Sequence, residues 1–287
     1  MKRKISRFLV LCIMMSVLVA CNHRRTNQTE DAADTIEIAD SLNNDSAFFF
    51  DDEDDGLTMH EEEIEVFGDF IYAFTHNTRF QAERVKFPLP ITELDGTERT
   101  ITSGKQFRSE FILPNNDYYV VMLGERSQID LLESDTILET ITMQVMNLEE
   151  LNMKCYQFTR SDKRWYLTLS NHSPIPSPLD GFMRFYGEFT TDSVFQQESV
   201  AERILVTIAD EDESEEEEEV EGTIERGQWP IFRPDMPGLN FVNIDFGQSY
   251  PHPDHLIMLQ CGISNSMMNT FTFRREYDRW KLVSYEN

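Results

Sequence analysis

The only tight pair of histidines in the chain is in the His-Pro-Asp-His stretch from His252 to His255. Two imidazoles at this spacing hold a metal ion only where both rings converge on one point. Here Pro253 lies between them at the predicted start of a strand, where successive side chains alternate between the two faces. The stretch therefore predicts a surface loop in place of a metal site, and we expect no metal and no other cofactor.

Two acidic stretches resemble cation sites. Asp51 to Gly56, followed by Glu62, has acids where a calcium loop has them, but Glu53 is longer than the usual Asp or Asn and Thr58 replaces an apolar anchor. The run Asp210 to Glu219 is almost entirely charged, and like-charge repulsion favours an open, solvated loop. We predict no calcium site in either stretch; a weak site for calcium or a basic partner in the second run is the alternative.

Common catalytic motifs do not occur in the sequence: it has no Gly-rich phosphate loop, Gly-x-Ser-x-Gly elbow, His-Glu-x-x-His or Cys-x-x-Cys. Acid–base pairs drawn from distant strands leave no local motif, so an enzymatic role stays open. The formal net charge of −27 repels nucleic acid and favours cations, basic surfaces or neutral ligands. We therefore expect no nucleic-acid partner.

Residues 1–20 predict a lipoprotein signal peptide. A positively charged start is followed by the apolar stretch Phe8 to Val19 and by Leu-Val-Ala before Cys21, whose thiol would carry the lipid. The alternatives are an ordinary secretory signal or a membrane helix, but the apolar stretch is shorter than the roughly twenty residues that span a bilayer. We predict lipid attachment at Cys21, and a membrane partner through that lipid. The expected location is the cell envelope, at the outer membrane on its periplasmic or surface side.

The rest of the chain repeats at a shift of 115 residues. The matching positions of two distant windows are Phe67, Phe70, Phe74 and Phe80 with Phe182, Phe185, Phe189 and Phe195, and Phe158, Arg160, Arg164 and Trp165 with Phe273, Arg275, Arg279 and Trp280. Two windows in one register predict a duplicated domain. Trp165 and Trp280 should then occupy equivalent buried places.

Composition sets the expected domain boundaries. The acidic stretch 21–61 is too poor in apolar residues to fold alone and predicts a disordered tether. A first domain over 62–171 and a second over 179–287 flank a linker at 172–178, which is rich in Pro and Ser. The second domain carries an acidic hairpin-loop insertion at 210–221. Cys155 and Cys261 are not equivalent in the repeat, which favours two free buried thiols over a disulfide.

The spacing of the elements predicts an α+β fold in each domain. Phe67, Phe70 and Phe74 lie on one face of a helix, a second short helix follows, and the rest reads as a mainly antiparallel sheet. Long strands ending in Phe-x-Arg, a turn and Arg-Trp-x-Leu, at Phe158 and Arg164, resemble the cone-shaped nuclear-transport-factor-2-like superfamily. The tandem form behind a lipobox also resembles a family of lipoproteins of unknown function from Gram-negative gut bacteria.

This resemblance implies two tandem domains, each with N-terminal helices packed on a curved sheet and an open pocket between them. In some members of the superfamily the pocket is an isomerase or dehydratase site, and Tyr72, His76 and Tyr156 are the candidates to face it here. Tyr72 and His76 align with Gly187 and Thr191 in the second copy, which favours a binding or scaffolding module over two enzymes. The expected ligand is a small apolar molecule or another envelope protein; an isomerase- or dehydratase-like enzyme is the alternative.

Overall fold

The computed structural model describes residues 64–129, 138–177, 179–209, 219–248, 250, 253–263 and 267–287. Several predicted features lie outside these residues: Cys21 with its signal, the acidic tether with its calcium-like loop, His252 and the acidic run 210–218. The described residues form one compact unit. In the following, the first half means residues 64–177 and the second half residues 179–287.

The described residues contain six α-helices, and the first two of each half lie where the sequence predicts them. They are α1 (Phe67–His76), α2 (Thr78–Glu83), α3 (Gly104–Glu110), α4 (Leu179–Thr191), α5 (Ser193–Glu198) and α6 (Trp229–Phe232). The helices α1 and α4 bury the predicted phenylalanine face. Asn77 and Asp192 begin α2 and α5 in the same way, because each side chain accepts two backbone N–H groups of the first turn.

Twelve strands form a single mixed sheet in the described part of the chain. In the first half they are β1 (Leu89–Thr92), β2 (Glu98–Ile101), β3 (Tyr118–Leu123), β4 (Thr140–Asn147), β5 (Asn152–Ser161) and β6 (Arg164–Pro174). In the second half they are β7 (Val200–Ala209), β8 (Glu219–Glu225), β9 (Asn240–Asp245), β10 (His255–Gly262), β11 (Met268–Glu276) and β12 (Arg279–Glu286).

The order of these strands shows that each half gives one strand to the other. The order is β2-β1-β6-β5-β4-β9-β3-β10-β11-β12-β7-β8. Strand β3 pairs antiparallel with β10 of the second half, and β9 pairs antiparallel with β4 of the first half. We call this arrangement the strand exchange; because of it, the sheet runs without interruption through both halves.

The central strands contribute to two hydrophobic cores on opposite faces of the sheet. Along β3, Val121 and Leu123 belong to the core around α1, while Val120 and Met122 belong to the core around α4. The alternation of side chains in a strand places these pairs on opposite faces. Both cores therefore depend on strands from both halves.

Side-chain amides hold the seam where β3 lies parallel to β9. The two strands share one ladder pair, Val120 with Asn243. The Asn243 side chain accepts a hydrogen bond from Met122 N at 3.1 Å and donates one to Gln144 Oε1 at 2.8 Å. Gln248 donates to Met122 O at 3.0 Å. These buried amides satisfy backbone groups that a regular ladder would otherwise pair.

The predicted linker begins later than the sequence suggests. Strand β6 continues to Pro174, and its last residue lies opposite Asn152 of β5. Pro is tolerated there because it is the terminal residue of the strand and needs to donate no further ladder hydrogen bond. Residues 172–174 therefore belong to the sheet.

The two repeat tryptophans are not equally buried, contrary to prediction. Trp165 is fully buried, whereas Trp280 is only partly buried. Both make the same edge-to-face contact, Trp165 with Phe67 and Trp280 with Phe182. The Arg160 guanidinium lies over the Trp165 ring, 4.3 Å from its centroid, and a buried ion pair contacts the backbone of the same residue.

That ion pair joins Glu65 to Arg84 next to Trp165. The guanidinium donates to both carboxylate oxygens, at 2.9 and 3.1 Å, and Trp165 N donates to the same carboxylate at 2.6 Å. Trp165 Nε1 donates to Glu65 O. A shift of 115 residues places Asp180 and Ser199 at these positions in the second half, so the pair has no counterpart there.

Cys155 and Cys261 are free thiols, which confirms the prediction that no disulfide joins them. Burial is the main cause that raises the pKa of each thiol to about 11. Both are therefore protonated at neutral pH and behave as core side chains.

Among the described helices, none has the length and apolar character needed to cross a bilayer.

Candidate functional site

A concave groove of about 1290 Å³ lies between α1 and the sheet. One wall is the exposed side of α1, including Gly68, Asp69 and Tyr72, and the other is the segment 113–117. We call this feature the α1 groove. It has the position expected for the pocket of the cone-shaped fold.

The floor of the α1 groove exists only because of the strand exchange. Met143 and Tyr119 come from the first half, whereas Val242, Ile244 and Phe246 come from β9 and the residue after it. The side chains of Met143, Val242, Ile244 and Phe246 are at least nine-tenths buried and belong to the core around α1. The floor is therefore apolar and rigidly packed.

Tyr72 and His76 line the groove on successive turns of α1. Their rings stack with centroids 4.4 Å apart, and both side chains are exposed. His76 Nδ1 lies 2.8 Å from Tyr72 O, and since a carbonyl only accepts, Nδ1 carries the proton in that contact. The imidazole is thus tied to its own helix, and its stack with Tyr72 forms an aromatic rim.

The third predicted residue, Tyr156, does not reach the groove. It is 1% exposed, its ring lies 4.9 Å from that of Phe111, and its hydroxyl has no hydrogen-bond partner in the described part of the chain. Burial, followed by the charge of Glu110, raises the pKa of the phenol. The resemblance places all three candidates at one pocket, but Tyr156 lies on β5, one strand farther from the exchanged strands than β4, and packs against Phe111 in the core around α1.

Two neighbouring tyrosines of β3 complete the end of the groove. Tyr119 lies opposite Cys261 in the ladder between β3 and β10, and burial, followed by the Cys261 thiol, raises the pKa of its phenol. The Tyr118 hydroxyl accepts a hydrogen bond from Gly238 N at 3.3 Å. Both partners, Gly238 and Cys261, belong to the second half, so these rings too are fixed by the strand exchange.

The titratable side chains of the groove do not form an acid–base pair. Asp69 and Asp117 are exposed on opposite walls, and no hydrogen bond or ion pair joins either of them to His76 in the described structure. An isomerase or dehydratase needs a base and an acid that converge on one bound substrate. The groove can hold a ligand, but it shows no such convergence.

The His-Pro-Asp-His stretch is described from Pro253 onward. His255 Nδ1 contacts Gly124 O at 3.0 Å, and the ring lines a depression of about 290 Å³ with Asp254 and Arg274. No group of three or more His, Cys, Asp or Glu that could hold a metal ion occurs among the described residues.

Asp245 is a partly buried acid on the opposite face of the sheet. It accepts hydrogen bonds from Gly247 N at 2.8 Å and Gln144 Nε2 at 3.2 Å. Burial raises the pKa of Asp245. The charge of Asp245 in turn raises the pKa of Cys155 and of Tyr250, although burial is the larger cause for both groups. Its hydrogen bonds fix the turn after β9, which positions Phe246 at the groove.

Comparisons with known proteins agree with this fold. A protein-family model described as "Domain of unknown function (DUF4348)" matches residues 33–287. The chain is similar to the crystal structure of an NTF2-like protein from Bacteroides fragilis NCTC 9343, with 29% identity, a TM-score of 0.69 and coverage of 78% of this chain and 96% of that chain. No curated sequence matches. The predicted nuclear-transport-factor-2-like fold of mixed α and β structure is confirmed.

Proposed function

We propose that this chain, which belongs to the DUF4348 family of domains of unknown function and has an NTF2-like fold, is a lipid-anchored binding module of the cell envelope. Its ligand site is the α1 groove. The observation that carries this proposal is an aromatic and apolar groove whose acids and histidine do not pair with one another. Pockets of this type bind ligands by area and shape, with a few polar groups that fix orientation.

We further propose that the two halves are tandem copies of one NTF2-like unit, at 62–171 and 179–287. The strand order supports this. If β1 to β6 are taken as the counterparts of β7 to β12 in the same sequence, the order read from the β8 edge is the order read from the β2 edge. In this view, the third strand of each copy has crossed to the other. The duplication would then have produced one joint binding site at the seam.

The rival proposal, an isomerase- or dehydratase-like enzyme, draws on the same groove. It would need His76 or one of the two aspartates to act on a substrate together with a second titratable group. His76 is held by Tyr72 O, and Tyr156, the third candidate, lies in the core. The geometry therefore favours binding over catalysis.

Gly68 offers a direct test of the groove. It lines the groove on α1, and a Cβ at this position would meet no atom within 4 Å. We expect Gly68→Trp to fill the groove and to lower the affinity for N-phenyl-1-naphthylamine, a neutral fluorescent apolar probe, by at least about tenfold. The helix should tolerate the change, because glycine within a helix is itself unfavourable.

Gly181→Trp is the matched control. Gly181 lies on α4, is equally exposed, and a Cβ there also meets no atom within 4 Å. Probe titrations of the two variants and of the parent protein should separate a site effect from a general effect of an added indole. Equal affinity in Gly68→Trp and Gly181→Trp would contradict binding in the α1 groove.

The lipid anchor has its own test. We expect Cys21→Ala, expressed in a Gram-negative host, to lose incorporation of a fatty-acid analogue completely, because the cysteine thiol is the atom that carries the lipid. The protein should move from the membrane fraction to the soluble fraction. Unchanged labelling of the variant would contradict a lipid at this residue, and Cys155→Ala is the control that should label normally.

A further inference from the structure

The charged groups on the α1 groove are all of one sign. Asp69 and Asp117 contribute carboxylates to opposite walls, while none of the described side chains that line the groove is Lys or Arg. The chain as a whole carries a formal net charge of −27. A ligand with a negative charge would meet only repulsion there, whereas a positive charge would find two partners.

Three tyrosine rings line the groove and are the candidates to contact a cation, although one face of Tyr72 is stacked on His76. Elsewhere in the first half the cation–ring contacts are made within the chain: Arg84 lies 4.7 Å from the Phe80 ring and Lys86 lies 3.6 Å from the Tyr166 ring. No such contact is found in the described structure for the groove rings Tyr72, Tyr118 and Tyr119. A desolvated cation over such a ring gains affinity, and tyrosine is among the better acceptors.

The mouth of the groove near Tyr118 lies in a negative electrostatic environment. The pKa of the Tyr118 phenol is raised by burial first and then by the charges of Asp117 and Asp235, while the hydrogen bond from Gly238 acts in the opposite direction. Two acids therefore act on this ring from different segments of the chain. The same field would favour a cation bound against it.

The N-terminus of α1 is the one feature that opposes this preference. The first turn of a helix carries a partial positive charge that favours anions. Asp69 lies in that first turn and offsets it, so its carboxylate contributes less to a bound cation than its formal charge suggests. Asp117, on the loop before β3, has no such compensation and is the acid expected to matter most.

We propose that the α1 groove selects amphipathic cations, that is, ligands with an apolar body and one ammonium or guanidinium group. The apolar body lies on the floor formed by Met143, Val242 and Ile244, and the positive charge lies between Asp117 and the tyrosine rings. This inference rests on the proposed function, since it specifies the ligand class of the same site.

The test compares three probes that share one apolar body: 4-phenylbutylammonium, 4-phenylbutan-1-ol and 4-phenylbutanoate. Each is titrated by calorimetry into the soluble chain from residue 22 onward, at low ionic strength where screening is weakest. We expect the ammonium to bind about tenfold more tightly than the alcohol, and the carboxylate to bind most weakly. Added salt should reduce the differences in affinity among the three probes, because it screens the charges.

Asp117→Asn is the deciding variant. It should lower the affinity for the ammonium more than the affinity for the alcohol, so that the advantage of the ammonium falls about threefold or more. Glu188→Gln removes one negative charge from an exposed position on α4 and is the matched control, for which the advantage should stay as in the parent protein. Thermal unfolding of both variants verifies that the fold is intact.

Each outcome separates this inference from the proposed function. Equal binding of the three probes, or strongest binding of the carboxylate, would overturn the cation preference. If Gly68→Trp still abolished that binding, the α1 groove would remain supported as the ligand site. An ammonium advantage that falls equally in Asp117→Asn and Glu188→Gln would also overturn it, because the effect would then come from overall charge. Failure of all probes to bind the parent protein would overturn both proposals.

Discussion

We expect neither half of the chain to fold alone. Fragments 62–177 and 178–287, expressed separately, should lack cooperative thermal unfolding, and the two should recover it when they are refolded together. Strand β3 is paired with β10 along its whole length, so in the isolated first half its backbone groups lose their partners. Circular dichroism of the separate and mixed fragments measures this.

Loss of the partner half also removes part of each core. The core around α1 loses Val242, Ile244 and Leu259, and the core around α4 loses Met122 and Met146. The removal of one large buried side chain typically costs about 2–5 kcal/mol, and several are lost together. A small domain has a total stability of only about 5–15 kcal/mol, so each half should unfold.

Cleavage of the intact protein between the halves is the matched control. A protease site inserted directly after the exposed Ser177 allows one peptide bond to be cut after folding, and the cut halves should remain associated because the sheet joins them. The cut and uncut proteins should both unfold in a single transition. An isolated half with a sharp, native-like transition would contradict a structural requirement for the exchanged strands.

The second large effect concerns the buried pair of Glu65 and Arg84. We expect Glu65→Ala to lower the free energy of unfolding by about 3–5 kcal/mol, since it leaves the Arg84 guanidinium buried without its carboxylate. The side chains of this pair are 1% and 7% exposed, and the same carboxylate also accepts the backbone N–H of Trp165. Urea denaturation of the variant and parent measures the change.

Asp180→Ala provides the control at the corresponding position of the second half. Asp180 pairs with Arg184 on the surface of α4, with side chains 39% and 61% exposed, and exposed pairs of this kind contribute about 0.3–0.5 kcal/mol. The double variant Glu65→Leu with Arg84→Met should recover most of the stability lost in Glu65→Ala, because apolar replacement of a buried pair is often neutral. A loss below about 1 kcal/mol in Glu65→Ala would contradict the importance of this pair.

The sequence is a good guide to single elements and a poor guide to their partners. The phenylalanine spacing identifies α1 and α4, and the apolar runs identify β3 and β10 with their observed bounds. These signals are local, since they depend only on which face of an element is buried. Pairing depends on which strand lies beside which, and an apolar run fits any neighbouring strand equally well.

One signal does point to the strand exchange. Residues 118–123 read Tyr-Tyr-Val-Val-Met-Leu, a continuous apolar run instead of an alternating one. Such a run is typical of a strand buried on both faces, whereas the edge of a single cone would alternate. Strand β9 gives no comparable signal, because Asn243 and Asp245 lower its strand propensity and it lies outside the register of 115 residues.

For the candidate site too, the sequence predicts the residues of single elements better than the residues brought in by strand pairing. Tyr72 and His76, candidates from the resemblance, line the groove because they lie on the exposed side of α1. The sequence misses Val242, Ile244 and Phe246, since they reach the groove only through a strand of the other half. Tyr156 is misplaced for a related reason, because the central position between the halves belongs to the exchanged strands.

The central claim is that one groove, built by both halves, binds the ligand. Hydrogen–deuterium exchange of the intact chain with and without saturating N-phenyl-1-naphthylamine tests it most directly. We predict slower exchange in three separate segments at once: the first turn of α1, residues 113–117 of the first half, and the residues around Phe246 and Ile263 of the second half. Protection confined to one half, or located away from these segments, would contradict the claim.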